Sequence, residues 1–253
     1  MRSNVAEVAE QQKDNLCGPF WAARFLREAG FEEWEGRPVD EELLAQRAGS
    51  LLPDAPAEEC VPRGAASKAD YRVDLPVVPA DRAGTAAGAL AGAIEAVAGG
   101  TLRCVPLRGP WIAERVEHLV ERGGGLGARL LANLRTGLLW GSRPPIQSLL
   151  AELTGRSAPA PAADWDCGHF CELGLLVRGP GGLLVVVRDS YPSLGWNGTH
   201  LQPPRVVADA LLRGDEREGG VLAVVAADGA AAVEALGRAL GLEIAVWDNG
   251  TRR

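Results

Sequence analysis

The sequence predicts an α+β fold, because helical patterns dominate its first part and strand patterns its last part. Before a Pro- and Ala-rich linker at 156–163, apolar residues recur at three- and four-residue spacing, which is typical of helices. After the linker, short β-type runs are separated by glycine turns. With 253 residues, of which 47% are hydrophobic, the chain can bury a substantial core. We predict a single domain over residues 1–253.

The first strong element is a helix within the segment DNLCGPFWAARFLREAG. Asp14 or Asn15 is suited to cap this helix, Pro19 fits its first turn, and Gly30 is placed to end it. Cys17 is therefore expected at the N-terminal end of a helix.

A shorter helix is predicted at 39–49, followed by a surface excursion at 50–83 that resembles a strand only at 71–78. Residues 85–155 are predicted to form an enlarged helical middle region, either an insertion or a helical subdomain. The predicted helices of this region are 87–100, 111–124, 126–141 and 144–155, and 101–107 is compatible with a short strand.

Beyond the linker the pattern predicts a β-hairpin, with strands at 167–177 and 183–189 around a glycine-rich turn. A helix from Pro203 or Pro204 to Leu212 is expected next. A strand, a helix and a final strand then close the chain, at 221–227, 230–241 and 242–247.

Composition excludes several classes of protein. A net charge of −7 argues against a nucleic-acid partner, whose phosphates require clustered cations. No apolar run reaches the roughly 18 residues of a membrane span, and the first residues lack the hydrophobic stretch of a secretory signal, so we predict a cytoplasmic protein without a membrane partner. The odd number of cysteines, five, predicts reduced thiols. We expect no cofactor, and the sequence leaves the oligomeric state open.

Three residues form a candidate catalytic group. The dipole and unpaired amides of a helix N-terminus favour a thiolate at Cys17, and the backbone N–H of this residue would face an oxyanion. His169 begins the predicted hairpin and Asp189 follows its second strand, so both should lie at the same open end. A thiol, an imidazole and a carboxylate in this order form a nucleophilic triad. Gln11 and Gln12 are both close enough along the chain to add an amide donor.

These motifs resemble the papain superfamily of cysteine peptidases. The resemblance rests on a glutamine separated by five residues from Cys-Gly-Pro at a helix start, a distant Gly-His-Phe that leads a strand, and a later Arg-Asp-Ser-Tyr-Pro. It covers residues 11–26 and 168–192, and it is closest to the leader peptidases that cleave after double glycine and to peptidase-like domains related to them. It implies a papain-like fold, in which the N-terminal helix that carries the nucleophile packs against a C-terminal antiparallel sheet.

The resemblance also implies a role for each matching residue. Cys17 would be the nucleophile, His169 the base, Asp189 the orienting residue and Gln11 the oxyanion donor. Gln11 is preferred over Gln12 on the spacing of the family alone.

Other residues near these motifs admit two interpretations. Trp196 and Tyr191 either floor a substrate groove or merely pack their loop. His200 is a reserve candidate for the base. Glu172 is expected on the strand face opposite His169 and receives no catalytic part.

A zinc site at Cys167, His169 and Cys171 is disfavoured. Alternate residues of a regular strand lie about 6.6 Å apart, too far for three ligands of one tetrahedral ion. We therefore expect no metal at this strand.

The predicted reaction is attack of Cys17 on the carbonyl of a peptide or amide to form an acyl-enzyme, in peptide maturation or biosynthesis. Water as acceptor would make the protein a peptidase or amidase, and an amine would make it an acyltransferase or peptide ligase. A non-catalytic peptide-binding module on the same scaffold is the remaining hypothesis.

Overall fold

In the computed structural model the described residues are 10–55, 61–156 and 159–251. They form seven α-helices: α1 (Cys17–Glu28), α2 (Glu41–Ala48), α3 (Ala87–Val97), α4 (Ala113–Gly125), α5 (Ile146–Leu153), α6 (Pro204–Leu212) and α7 (Ala230–Ala239). The same residues form eleven strands: β1 (Glu33–Trp34), β2 (Arg37–Pro38), β3 (Leu52–Pro53), β4 (Val77–Val78), β5 (Leu102–Arg108), β6 (Arg129–Arg135), β7 (Gly168–Arg178), β8 (Leu183–Arg188), β9 (Thr199–Gln202), β10 (Gly220–Ala226) and β11 (Glu243–Ile244).

Seven of these strands form one antiparallel sheet in the order β11-β5-β10-β6-β7-β8-β9. The short strands pair separately, β1 with β2 and β3 with β4. The mixture of helices and an antiparallel sheet confirms the α+β class predicted from the sequence. No helix in the described ranges is long and apolar enough to cross a membrane.

The sheet is covered on both faces by helices, and each face has its own core. On one face, side chains of α1, α2 and α3 pack against Leu131, Phe170 and Leu222 of the sheet. On the other face, α4, α6 and α7 pack against a set that includes Leu130 and Cys171. Because neighbouring residues of one strand enter opposite cores, the central strands are buried on both sides.

The predicted helix at 126–141 is wrong, because Arg129–Arg135 is a central strand, β6, that pairs with β10 and β7. Its leucines and alanine favour a helix intrinsically. The sequence pattern of a short apolar run that is buried on both faces does not distinguish a helix from a strand. Here Leu131 enters one core while Leu130 and Ala132 enter the other, which is the alternation of a strand.

The middle region 85–155 is accordingly not purely helical. It contains α3, α4 and α5, as the periodicity predicts, but also β5 and β6, which pair with β10 from near the end of the chain. The short strand proposed for 101–107 is confirmed as β5. Two other strands are shorter than predicted. The strand predicted at 71–78 covers only Val77–Val78, and the one predicted at 242–247 covers only Glu243–Ile244.

The predicted hairpin is confirmed as β7 and β8, with Gly179 donating to the carbonyl of Gly182 in its turn. The start of β7 and the end of β8 lie at the same end of the hairpin. α1 packs against β7, and Phe170 of β7 belongs to the same core as α1. This packing brings the N-terminal end of α1 to the end of the sheet where the hairpin is open.

Candidate active site

A cavity of about 290 Å³ lies where the N-terminal end of α1 meets the start of β7. Cys17 and His169 both line it, together with Gln12, Trp165 and Tyr191. Its volume is close to the lower end of the range of about 300–1,000 Å³ that is typical of small-molecule sites. The cavity is thus the place where the nucleophile and the base predicted from the sequence come together.

The helix that carries Cys17 begins without a side-chain cap. Its N-cap residue is Leu16, and its first turn contains no acidic residue. The predicted cap by Asp14 or Asn15 is wrong, because the Asp14 carboxylate instead accepts hydrogen bonds from the Ser67 hydroxyl and the Lys68 amide. The first amides of a helix have no partner within it, so the N-terminus of α1 keeps its positive end directed at the cavity.

The Cys17 thiol is half-buried, and its Sγ accepts a hydrogen bond from the backbone N–H of Phe170 over 3.4 Å. This bond joins the start of α1 to β7 at the residue after His169. Pro19 stands in the first turn as predicted, where a missing N–H costs no hydrogen bond.

His169 is held from behind by Asp189. The imidazole Nε2 lies 3.2 Å from Oδ1 of Asp189, and the same oxygen accepts the backbone N–H of Tyr191 over 3.0 Å. His169 and Asp189 are each only 2% exposed. With Nε2 engaged by Asp189, Nδ1 is the ring nitrogen left for another partner.

The pKa values of His169 and Asp189 shift in opposite directions. Burial disfavours the charged form of His169, but the charges of Asp189 and Cys17 and hydrogen bonds to both side chains raise its pKa from 6.5 to about 10. Burial also opposes ionisation of Asp189, but the charge and hydrogen bond of His169 hold its pKa below the usual 3.8. The pair is therefore an imidazolium and a carboxylate at neutral pH.

Aromatic rings pack around this imidazole. The Tyr191 ring is stacked on His169 with centroids 6.1 Å apart, and the Trp165 ring meets His169 edge-on at 5.2 Å and Tyr191 at 5.5 Å. Tyr191 is fully buried, and burial raises the pKa of its hydroxyl above the usual range. Together the rings restrict the orientation of the imidazole.

The structure distinguishes the two glutamines. Gln12 is buried and lines the cavity of Cys17, where its Nε2 donates to Tyr191 Oη over 3.2 Å and to the Lys13 carbonyl over 3.1 Å. Its Oε1 accepts a short hydrogen bond from the Ser190 hydroxyl. Gln11, preferred on the spacing of the family, donates instead to the carbonyl of Ala66 and does not line this cavity.

Three further residues named from the sequence lie outside the cavity. Trp196 is 53% exposed and does not line the cavity, so it does not form the floor of a substrate groove there. Glu172 is buried in ion pairs with Arg129 and Arg188. His200 is buried, its Nδ1 lies 3.0 Å from Gln202 Nε2, and burial lowers its pKa.

The remaining described cysteines are Cys104, Cys167 and Cys171, of which Cys167 lines the same cavity as Cys17. Burial raises the pKa of Cys167 and Cys171 well above the usual 9.0, and it also raises that of Cys104. Cys60 lies outside the described residues. Within the described ranges no three His, Cys, Asp or Glu side chains are placed to hold a metal ion.

A family model described as a family of unknown function (DUF6885) matches residues 3–248. The chain belongs to the DUF6885 family. Searches of the curated proteins and of the solved structures returned no significant match. The family assignment carries no activity, so the chemistry of this DUF6885 chain has to be argued from its site.

One wall of the cavity carries two arginines that the sequence did not single out, Arg213 and Arg217. Arg213 is 2% exposed, and its guanidinium packs against Gly168, where a Cβ would come within 2.8 Å of Nη2. Gly168 is the first residue of β7 and precedes His169, so this guanidinium packs on the start of the strand that carries the proposed base.

The backbone at Arg213 is strained. Its φ of 64° and ψ of −48°, with Gly214 N–H donating to the Leu212 carbonyl, form the classic γ-turn, which is rare for a side-chain-bearing residue. Such a conformation costs about 1–3 kcal/mol and is found mainly at functional sites. Sequence patterns give no signal for this turn, because α6 only ends there and no glycine marks position 213.

Trp165 was also missed. It stands in a Pro-, Ala- and Asp-rich segment that reads as a linker, and only its closeness to Cys167 and His169 along the chain hints at a role. The sequence offers both Gln11 and Gln12 as the oxyanion donor, and the choice of Gln12 depends on how the chain enters α1.

Proposed function

We propose that this protein is a cysteine-dependent acyl-transfer enzyme that acts on a peptide or amide. The observation that carries the proposal is that Cys17, at the uncapped start of α1, shares one cavity with a buried His169 whose Nε2 is held 3.2 Å from Asp189. In this arrangement Nδ1 of His169 is the nitrogen available to exchange a proton with the thiol.

The first half-reaction follows from these positions. With its proton on His169 Nδ1, the Cys17 sulfur attacks the carbonyl carbon and the carbonyl π electrons move to oxygen. As the tetrahedral intermediate collapses, the C–N bond breaks, His169 returns the proton to the leaving amine, and a thioester on Cys17 remains. Asp189 orients the imidazole and stabilises its charged form throughout.

The oxyanion of that intermediate would be stabilised by the backbone N–H of Cys17 and the Nε2 of Gln12. Both Nε2 hydrogens of Gln12 already have acceptors, the Lys13 carbonyl and Tyr191 Oη. The oxyanion would therefore take the place of Tyr191 Oη as an acceptor. A single oxyanion donor contributes roughly 10²–10³ in rate.

The second half-reaction depends on the acceptor. Water, deprotonated by His169, would release an acid and make the protein a peptidase or amidase. An amine in the same position would form a new amide. The helix-borne Cys17, packed on an antiparallel sheet whose hairpin carries His169 and Asp189, supports a papain-like arrangement for either outcome.

The test uses p-nitrophenyl acetate as an acyl donor that needs no specific recognition. We expect a burst of about one equivalent of p-nitrophenolate and an acetyl adduct on Cys17 that hydroxylamine removes, as a thioester requires. Peptide mass spectrometry locates the adduct. Cys60→Ser serves as the background, because the position of Cys60 is outside the described residues.

Two variants control this experiment. His169→Gln should abolish the burst, whereas His118→Gln, on α4 and outside the cavity, should leave it intact. Slow acetylation spread over all thiols, or equal bursts in the two variants, would contradict the proposed function and favour a non-catalytic binding protein.

A further inference from the structure

The guanidinium of Arg217, in the wall of the cavity, has no carboxylate within ion-pair distance among the described residues. Three pairs near the cavity are neutralised internally: Arg135 with Asp166 at 2.8 Å, His169 with Asp189 at 3.2 Å, and Arg213 with Asp215 at 3.2 Å. Arg217 forms no ion pair with any described residue, and its Nη2 donates only to the backbone carbonyl of Asp81, over 2.8 Å.

Several neutral hydrogen-bonding residues line the same cavity as this cation. Asn133, Asn249, Thr85 and Thr251 line the same cavity, and none of them carries a charge. A guanidinium in a partly enclosed site with amide and hydroxyl groups around it is suited to an anionic group of a small ligand.

We infer that Arg217, with Arg213 beside it, binds a carboxylate of the substrate whose carbonyl Cys17 attacks. This inference rests on the proposed function and specifies its substrate class: an acyl compound or short peptide that bears a free carboxylate near the reacting carbonyl. One guanidinium without a carboxylate partner matches a carboxylate, which carries one negative charge, better than a phosphate, which carries close to two.

The position of Arg213 supports the same assignment. Its guanidinium lies against Gly168, next to His169, and it is held there by Asp215 and by the strained γ-turn of its own backbone. Arg213, His169 and Cys17 line one cavity, so a substrate that fills this cavity can meet both the cation and the nucleophile. A surface arginine with no such role needs neither burial nor a strained backbone.

The test compares two alkylating probes that differ in charge, iodoacetate and iodoacetamide. In both reactions the Cys17 sulfur displaces iodide and forms a new S–C bond, but only iodoacetate carries a carboxylate. The measured quantity is the ratio of the two rate constants at Cys17, divided by the same ratio for glutathione. A general change in the reactivity of Cys17 cancels in this ratio.

For the unsubstituted protein we expect a ratio about tenfold above that of glutathione, and Arg217→Gln should lower it by about tenfold, the effect of losing one charged hydrogen bond. Arg103→Gln is the matched control, because Arg103 lies on β5, half exposed and away from the cavity, and the ratio should not change. The same ratio is measured for Arg213→Gln, once thermal unfolding has shown that this variant folds.

The source of the carboxylate is distinguished by protection. Acetyl-Gly-Gly, its amide, and acetyl-Asp-amide are each tested for slowing of the iodoacetamide reaction. Protection by the first indicates a C-terminal carboxylate and protection by the last an acidic side chain, and either supports the inference.

An equal ratio in the unsubstituted protein and Arg217→Gln, or protection by the neutral dipeptide amide alone, would overturn the carboxylate assignment while Cys17 still reacts rapidly with iodoacetamide. Failure of iodoacetamide to react selectively with Cys17 would instead reject the proposed function itself.

Discussion

The Nε2 atom of His169 lies 3.2 Å from Oδ1 of Asp189, and the two side chains are buried together at the open end of the β7–β8 hairpin. The pKa of His169 is raised and that of Asp189 is lowered, each because the other is charged, against the opposing effect of burial. The two side chains thus form an ion pair of fixed orientation, in which Nε2 of the imidazole faces Asp189 and Nδ1 is left for the thiol.

Removing the charge of Asp189 should change how stability depends on pH. A raised folded-state pKa means that the contribution of His169 is fully present below its unfolded value of 6.5 and is lost as pH rises towards about 10. In Asp189→Asn this loss should largely disappear. We expect the difference in free energy of unfolding between the two proteins to shrink by at least about 1 kcal/mol between about pH 6 and about pH 9.

Urea unfolding at both pH values measures this difference, and NMR of the imidazole follows the pKa of His169 directly. Asp166→Asn is the control, because Asp166 pairs with Arg135, which does not titrate in this range. A difference that stays constant with pH would show that His169 is not charged in the folded protein.

The two adjacent glutamines offer a matched pair for the oxyanion donor. Gln12→Ala should lower the rate of acyl-enzyme formation from p-nitrophenyl acetate by roughly 10²–10³, because Gln12 lines the cavity of Cys17 and would supply an oxyanion donor. Gln11→Ala should have little effect, since that side chain bonds to Ala66 outside the cavity. The rate constant is read from the burst, and thermal unfolding separates it from lost stability. The reverse order of the two variants would return the role to Gln11.

Much of this site was accessible from the sequence, because it depends on local patterns. The helix that begins at Cys17 follows from its apolar periodicity and from Pro19, and the hairpin that places His169 and Asp189 at one end follows from its turn glycines. The choice between Gln11 and Gln12 could not be predicted from the sequence, since it depends on the backbone path before α1. Their catalytic roles remain predictions.

Long-range packing accounts for what the sequence could not predict. The sequence pattern predicts a helix where β6 lies. The strand forms instead because this segment pairs with β7 and β10, which lie far away along the chain. Arg213 comes beside Gly168 only once α6 has docked on the sheet.

The two tryptophans near the hairpin should behave differently. Trp165 contacts both His169 and Tyr191, and such ring contacts contribute about 0.5–1.5 kcal/mol each. Trp165→Ala should therefore slow acyl-enzyme formation by about tenfold, while Trp165→Phe retains most of the rate. Trp196→Ala should leave it unchanged, because this exposed ring does not line the cavity. Equal effects of Trp165→Ala and Trp196→Ala on the burst would argue against the packing role.

A glycine in the central strand β10 connects the core to the site. A Cβ at Gly220 would come within 2.3 Å of the buried Trp247 ring, whose Nε1 donates to Asn133 over 3.2 Å, and Asn133 Nδ2 in turn donates to the His169 carbonyl over 3.4 Å. Gly220→Ala should therefore destabilise the fold by about 1–3 kcal/mol and also slow acylation, because the displaced ring pushes on Asn133.

The matched variant is Gly124→Ala, in the exposed part of α4, where an added Cβ meets nothing within 4 Å. Replacing glycine by alanine inside a helix should stabilise the protein by up to about 1 kcal/mol and leave acylation unchanged. Urea unfolding gives both free energies and the p-nitrophenolate burst gives both rates. If Gly220→Ala were as stable as Gly124→Ala, Trp247 would have room to move, and the proposed path from the core to His169 would be wrong.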